Sequence, residues 1–282
     1  NHRRCRTGEP GAELNTHQPD FSLESITDTL KGLSLGGIRF FSSTSSTNTD
    51  ALTWATKGAP DESLVLSDSQ SQGRGRFERR WFTPAGSALA CSFIFRPQPT
   101  EIPNLALFTA IGALAVCHMV ENFTSEQPSI KWPNDVLIHS KKVAGILTET
   151  AWQDNQPVAL VLGIGVNILP ASVPKDAPLL YPSACLQDYC PEPVSRLSAL
   201  RSLAKALLEL RPLMSNKTSL IQAWNNRLAF IGQRVKFIRV GLVPLQGVFL
   251  GIDDEGSALL QLDDGNIQAM MAGDLSLRLS ES

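Results

Sequence analysis

Nothing in this chain of 282 residues marks a disulfide framework, a metal cluster or a membrane span. The five cysteines (Cys5, Cys91, Cys117, Cys185 and Cys190) are odd in number, scattered, and nowhere in C-x-x-C spacing. Neither paired bridges nor a structural zinc site is indicated, and reduced thiols in a cytoplasmic setting fit best. The four histidines, His2, His17, His118 and His139, show neither ligand nor triad spacing. No stretch reaches the roughly 18 consecutive apolar residues that suggest a spanning helix. The longest apolar run, Leu105 to Val120, is broken by Thr109, Gly112 and His118 and reads as a buried helix. With a net charge of −2 there is no basic excess to draw nucleic acid, so any anion must be held by a local cluster. Arg3, Arg4 and Arg6 are followed by no apolar segment, which argues against a secretory signal. The first residue is not Met, so the true start is left open.

What the chain does have is apolar content for a sizeable core, 43% hydrophobic against 18% charged. Single cores stop growing at roughly 250 to 300 residues, which favours one large domain with a small satellite. Residues 1–34 read as a tail ending in a short helix. Ile38 to Phe41, Leu64 to Leu66 and Leu89 to Phe95 read as strands. Ser46 or Thr47 is placed to cap a helix ending near Lys57-Gly58. Helical spacing runs from Asn104 to Phe123, and four short branched segments between Ile130 and Ile164 predict further strands, with Ser140-Lys141 as a hairpin tip. After a Pro-rich connection come helices over Arg196–Leu210 and around Ser219–Leu228. The last 50 or so residues carry four short strands and Asp/Gly turns, the pattern of a small β barrel. The expected division is a tail (1–34), a main domain (35–230) and a barrel (231–282).

Four segments carry chemistry. The loop Ser69 to Arg80 contains Gly73-Arg74-Gly75-Arg76 with Arg79 and Arg80: backbone able to bend around a ligand, and guanidiniums able to grip carboxylate or phosphate. Alone, it could equally be a solvated loop or touch RNA. In Lys131-Trp132-Pro133-Asn134-Asp135 the proline bars continuation as a central strand and leaves an amide and a carboxylate at a turn, suited to a base edge, Mg²⁺ or an amine, or merely to an Asx turn. Lys142 precedes Val143-Ala144-Gly145-Ile146-Leu147, where a ligand with an apolar body and an acidic end would fit; the plain alternative is an edge-strand lysine. Gly163-Ile164-Gly165-Val166-Asn167 is only half of a dinucleotide fingerprint, so its glycines serve close packing or ligand approach.

Together with Ser46-Thr47-Asn48 and Gln70, and in this order and spacing, these motifs make residues 38–168 resemble the biotin-protein ligase family, and the terminal strands resemble its small SH3-like domain. The resemblance implies an α/β (α+β) catalytic domain with a mixed sheet, like class II aminoacyl-tRNA synthetases and lipoate ligases. It also implies a two-step reaction: biotin and ATP give biotinyl-5'-AMP and pyrophosphate, and a lysine of a biotin carboxyl carrier protein then takes the biotinyl group. ATP and Mg would be co-substrate and metal, with no tightly bound prosthetic group.

By the same resemblance Ser46, Thr47, Asn48, Gln70, Gly73 and Arg74 would hold the ureido head of biotin, and Gly145 would leave room for its tail. Lys142 and Arg76 would face the biotin carboxylate and α-phosphate, and Arg79 the triphosphate. Trp81, Lys131, Asn134 and Asn167 would position the nucleotide. Asp135 would lie close to Mg²⁺ or help deprotonate the incoming amine, whose ordinary pKa is about 10.4. The family usually has glycine where this chain has Glu78, and a carboxylate there is expected to stiffen the loop and alter retention of the adenylate. Some relatives add an N-terminal DNA-binding domain. The segment before residue 38 is too short and too poor in helical periodicity for one, so a monofunctional ligase without sequence-specific DNA binding, monomeric or weakly dimeric, is expected. The rival enzyme is a lipoate or octanoate ligase, against which the G-R-G-R and K-W-P-N-D pair argues. The rival from another class is an RNA-binding module, against which net charge and the Lys142 cluster argue.

Overall fold

A computed structural model describes residues 21–174, 181–239, 243–271 and 275–279, with Arg239 and 275–279 by backbone alone and Glu78 without its side chain. The expected tail residues 1–20 lie outside it. Its backbone forms a seven-stranded sheet and a smaller five-stranded one. In chain order the main unit is α1 (Leu23–Thr29), β1 (Gly37–Phe41), α2 (Thr47–Thr56), β2 (Ser63–Ser67), β3 (Ala88–Phe95), α3 (Phe108–Glu121), β4 (Ser129–Lys131), β5 (Asp135–Ile138), β6 (Lys141–Gln153), β7 (Gln156–Asn167), α4 (Arg196–Leu210) and α5 (Lys217–Asn225). The large sheet runs β1-β2-β3-β7-β6-β5-β4, with β1 and β2 parallel and the remaining pairs antiparallel, which is the mixed sheet expected.

Three expected boundaries need correction. The core begins before residue 35: Ser22 caps α1 through its side chain, and Phe21, Ile26 and Leu30 are buried in the main cluster. The long apolar helix begins not at Asn104 but at Phe108. Ile102–Leu107 form a tighter 3₁₀ turn in which Asn104 leaves helical geometry, with Pro103 in its first turn. By length and composition Ile102–Glu121 could cross a membrane, yet here it lies in the protein core. The β5–β6 turn falls one residue early, at His139 and Ser140, both at positive φ, and a second tight turn at Asp154-Asn155 joins β6 to β7.

Because side chains alternate along a strand, each central strand offers two different faces. On one, Phe93, Ile146, Leu162, Ile164 and Val166 pack into the main core beneath α3 and α4. Gly112 lets α3 approach closely, since a Cβ there would lie 3.1 Å from Leu162 and 3.2 Å from Ile146. The other face carries Ala90, Ser92, Gly145, Leu147, Gly163 and Gly165, which register side by side across β3, β7 and β6. At the outer end of that face α2 seats Ala51 and Ala55 against Val65, Ile94 and Val161. The inner end is left open.

The second sheet consists of β8 (Arg234–Arg239), β9 (Leu245–Ile252), β10 (Ala258–Gln261), β11 (Ile267–Met270) and β12 (Leu275–Leu279) in the order β11-β10-β9-β8-β12, one strand more than the sequence suggested. It is fastened to the main unit at the K-W-P-N-D turn: Trp132 is fully buried, its indole N–H donates to Gly256 O at 3.1 Å, and its ring lies 5.8 Å from Phe237. Asn225 at the end of α5 accepts from Ile252 N, and Lys217 pairs with Glu255. The four described cysteines are free thiols, and burial pushes Cys91 and Cys117 up to about 12, so they pack as apolar side chains at neutral pH. Removing a buried Trp leaves a cavity and an orphaned carbonyl, so Trp132→Ala should lower unfolding free energy by about 3 to 5 kcal/mol in urea titrations. A loss under about 1 kcal/mol would mean that the two units are not joined through this ring.

Candidate active site

A cavity of about 590 Å³ opens over the bare face of β3, β7 and β6. One wall is polar. The first turn of α2 puts Ser46, Thr47 and Asn48 against it, all buried. Ser46 has the backbone of an N-cap but its side chain makes no capping bond; Gln70 Oε1, from the arginine loop, accepts from Thr47 N at 2.9 Å and from Thr47 Oγ1 at 3.2 Å. Ser92 on β3 reaches Thr47 Oγ1 at 2.8 Å and donates to Asn48 Oδ1 at 2.6 Å. Asn48 lies flat on the sheet in the space that Gly163 leaves, where a Cβ would overlap its amide.

The loop over the cavity folds back on itself through Trp81 N to Gly73 O (2.7 Å) and Gly75 N to Arg79 O (2.6 Å). Gly73 is obligatory for this closure, since a Cβ there would lie 2.5 Å from Trp81 O. At the tip Phe77 takes φ 59°, a left-handed conformation that costs on the order of 1 kcal/mol or more in a non-glycine residue. Its ring has the Arg76 and Arg79 guanidiniums at 5.0 and 5.4 Å. The expectation for the Glu78 side chain falls outside the described part. Trp81 turns inward and lies directly on Gly145 and Gly165; its buried indole N–H has no partner.

The opposite wall is ionic. Asp135 opens β5 with one oxygen 2.6 Å from Lys131 Nζ and the other 2.5 Å from Lys142 Nζ. Burial alone would raise its pKa, but Lys142 and Lys131 together hold the carboxyl well below the usual range. Lys131 also sits 4.3 Å from the Tyr181 ring centroid and Lys142 5.3 Å from that of Trp81. β6 lies between β7 and β5, so Lys142 is no edge-strand residue, and its backbone is tied to Pro182 and Ala184 of the following connection. Asn134 Nδ2 donates to Ile146 O (2.8 Å), and Asn167 Nδ2 to Ala184 O (3.1 Å), so both amides brace backbone at the cavity wall.

Every candidate named from the sequence lines this cavity except Gly73, which shapes the loop behind it. Ser92, Leu147, Glu149 and Tyr181 escaped that reading. Strand alternation from Gly145 would have found Leu147 and Glu149, and Ser92 stands alone as a hydroxyl in an apolar strand. Among the described residues no group of three or more His, Cys, Asp or Glu could hold a metal ion. Asp135, the one candidate ligand, already has both oxygens in ion pairs, so these residues do not fit a resident metal.

Residues 40–167 match the model of the biotin/lipoate A/B protein ligase family, and residues 230–278 that of the biotin protein ligase C-terminal domain. A biotin–acetyl-CoA-carboxylase ligase of Mycobacterium tuberculosis is 31% identical over 266 residues, 92% of this chain and 96% of its own length. The chain belongs to the biotin protein ligase family. The bifunctional ligase/repressor BirA of Bacillus subtilis is 32% identical over 237 residues, 83% of this chain and 71% of that protein. Among solved structures, the biotin protein ligase from Aquifex aeolicus in complex with biotin and ATP superposes with a TM-score of 0.75 at 26% identity, covering 86% of this chain and 99% of that one. Family membership thus covers both the mixed-sheet unit and the small terminal sheet.

Asp135→Asn removes the carboxylate that two ammonium groups share, a loss expected to cost about 3 kcal/mol or more at neutral pH. The folded-state pKa lies below the ordinary 3.8, so the folded form binds fewer protons than the unfolded one. The stability gap between wild type and variant should be full above about pH 5 and narrow as pH falls below the carboxylate range. Unfolding measured at several pH values checks this; a gap that does not change with pH would contradict it.

Proposed function

We propose that this chain is a biotin–protein ligase that joins biotin to ATP and then to a lysine of a biotin carboxyl carrier protein. The observation that carries the reading is the cavity itself: a floor reduced to Gly145, Gly165 and Ala90 at one level of the sheet, a hydrogen-bonding wall at one end and a cation-bearing wall at the other. From Gly145 to Glu149 along β6 is roughly 13 Å at about 3.3 Å per residue, room for a ligand with a polar head, an apolar body and an anionic end. Family membership and the Aquifex relative's complex with biotin and ATP support the assignment.

In the first step a carboxylate oxygen attacks the α-phosphorus and pyrophosphate leaves. Two anions must meet, so fixed cations where charge gathers supply the catalysis. Lys142, tethered by Asp135, and Arg76 face the carboxylate and α-phosphate, while Arg79 orders the leaving phosphates. The head group is held by Ser46, Thr47, Asn48, Gln70 and Arg74. Trp81 leaves its resting place on Gly145 and Gly165 when the acid takes that floor, and then packs against the nucleotide beside Lys131, Asn134 and Asn167.

In the second step the carrier amine attacks the acyl carbon and AMP leaves. Asp135, engaged on both oxygens and held at low pKa, is a poor proton acceptor. We read it as the anchor of two lysines rather than as the base or a magnesium ligand. Mg²⁺ would then arrive on the triphosphate.

Exchange of labelled pyrophosphate into ATP should require biotin and fall about 100-fold or more in Lys142→Ala. Exchange supported by lipoate and not by biotin would move the chain to the lipoate branch of the family. Exchange with neither acid would overturn the adenylation reading.

A further inference from the structure

Glu149 does not line the cavity, yet the polar wall is built on it. It stands on β6, on the same face as Gly145 and Leu147, at the far end from Lys142. Its Oε2 accepts from Asn48 Nδ2 at 2.7 Å, while Arg74 Nη2 lies 3.3 Å from Oε1 and 3.5 Å from Oε2. The carboxylate therefore joins α2 to the arginine loop across 101 and 75 residues of sequence. Its effect on Asn48 is directional. With Nδ2 turned to Glu149 and to Leu147 O, Oδ1 must face Ser92, which fixes the amide flat over Gly163. Its effect on Arg74 is to hold one end of a long side chain, 36% exposed, that would otherwise sample many rotamers above the cavity.

We infer that Glu149 is a positioning residue for recognition of the acid substrate: it presets Asn48 and Arg74 in their binding geometry and touches neither substrate itself. This rests on the ligase reading above. Because the two residues it holds lie at the head end, its loss should weaken binding of biotin and leave the phosphate end untouched. Charged hydrogen bonds of this kind support an effect on the order of tenfold or more.

The test is pyrophosphate exchange with Glu149→Gln, which keeps the side-chain volume but replaces one acceptor oxygen with a donor. The KM for biotin should rise about tenfold or more, with the KM for ATP and the rate at saturating biotin within about twofold of wild type and the thermal midpoint nearly unchanged. Added to an Asn48→Ala, Arg74→Ala background, the same substitution should raise the biotin KM by less than about twofold, because the groups it acts through are gone. An unchanged biotin KM, an equal rise for ATP, or full additivity in the triple variant would overturn the inference. If Glu149→Gln fails to fold, Glu149→Asp, which keeps the charge but withdraws it, should give an intermediate biotin KM; a wild-type value there would also overturn it. Wild-type enzyme without biotin-dependent exchange would instead overturn the ligase reading on which the inference rests.

Discussion

The cavity exists because three neighbouring strands give up their side chains at one level of the sheet. Gly145 on β6 faces Gly165 on β7, and Ala90 on β3 completes the row. One step along, Gly163 lies between Leu147 and Ser92. A central strand normally fills both faces, and here the opposite face does so with Phe93, Ile146, Leu162 and Ile164. The bare level sacrifices apolar burial, and in return a flat ligand can lie against backbone. Everything else is placed relative to that floor: Asn48 at one end, the Lys131–Asp135–Lys142 cluster at the other, and the arginine loop above.

The two ends are built by different physics. At the head end neutral donors and acceptors are bonded to one another and to the Arg74–Glu149 pair, so selectivity comes from leaving them unmatched when the wrong ligand enters. At the other end two ammonium groups converge on one carboxylate beside the Trp81 ring, a preorganised positive site in a largely dry setting. Trp132 ties this ionic end to the terminal sheet through Gly256 and Phe237, so the smaller unit braces the turn from which Lys131 and Asp135 project. Mutations far out in that sheet can reach the chemistry by this route.

Much of the architecture was legible in the residues. The short branched and apolar runs of β3, β6 and β7, the helical run of α4 and the Asp/Gly turns of the terminal sheet are strong local signals, and the structure follows them. The helix start at Phe108 was not legible, because the apolar spacing continues back through the 3₁₀ turn from Ile102 and only backbone geometry separates the two. The strand Leu275–Leu279 carries the alternation of its neighbours, yet it comes after the last Asp/Gly turn used to parse the region. At the site, G-R-G-R, K-W-P-N-D and K-V-A-G-I-L pointed to segments that the fold brings together around one cavity. What they could not convey was that both oxygens of Asp135 are occupied, or that Trp81 rests on the glycine floor, since each depends on contacts between distant segments.

The central claim is that the ligand lies on the glycine floor, and calorimetric titration of biotin into Gly165→Ala beside wild type tests it most directly. A Cβ at that position adds one methyl group to the floor beneath the ligand and would lie 2.4 Å from the resting Trp81 ring, which must shift to admit it. Biotin affinity should fall by about tenfold or more in a variant that still folds cooperatively, with unfolding free energy lowered by about 1 to 3 kcal/mol as the Trp81 ring gives way. Unchanged affinity in a fully folded variant would contradict it and place the ligand elsewhere in the cavity.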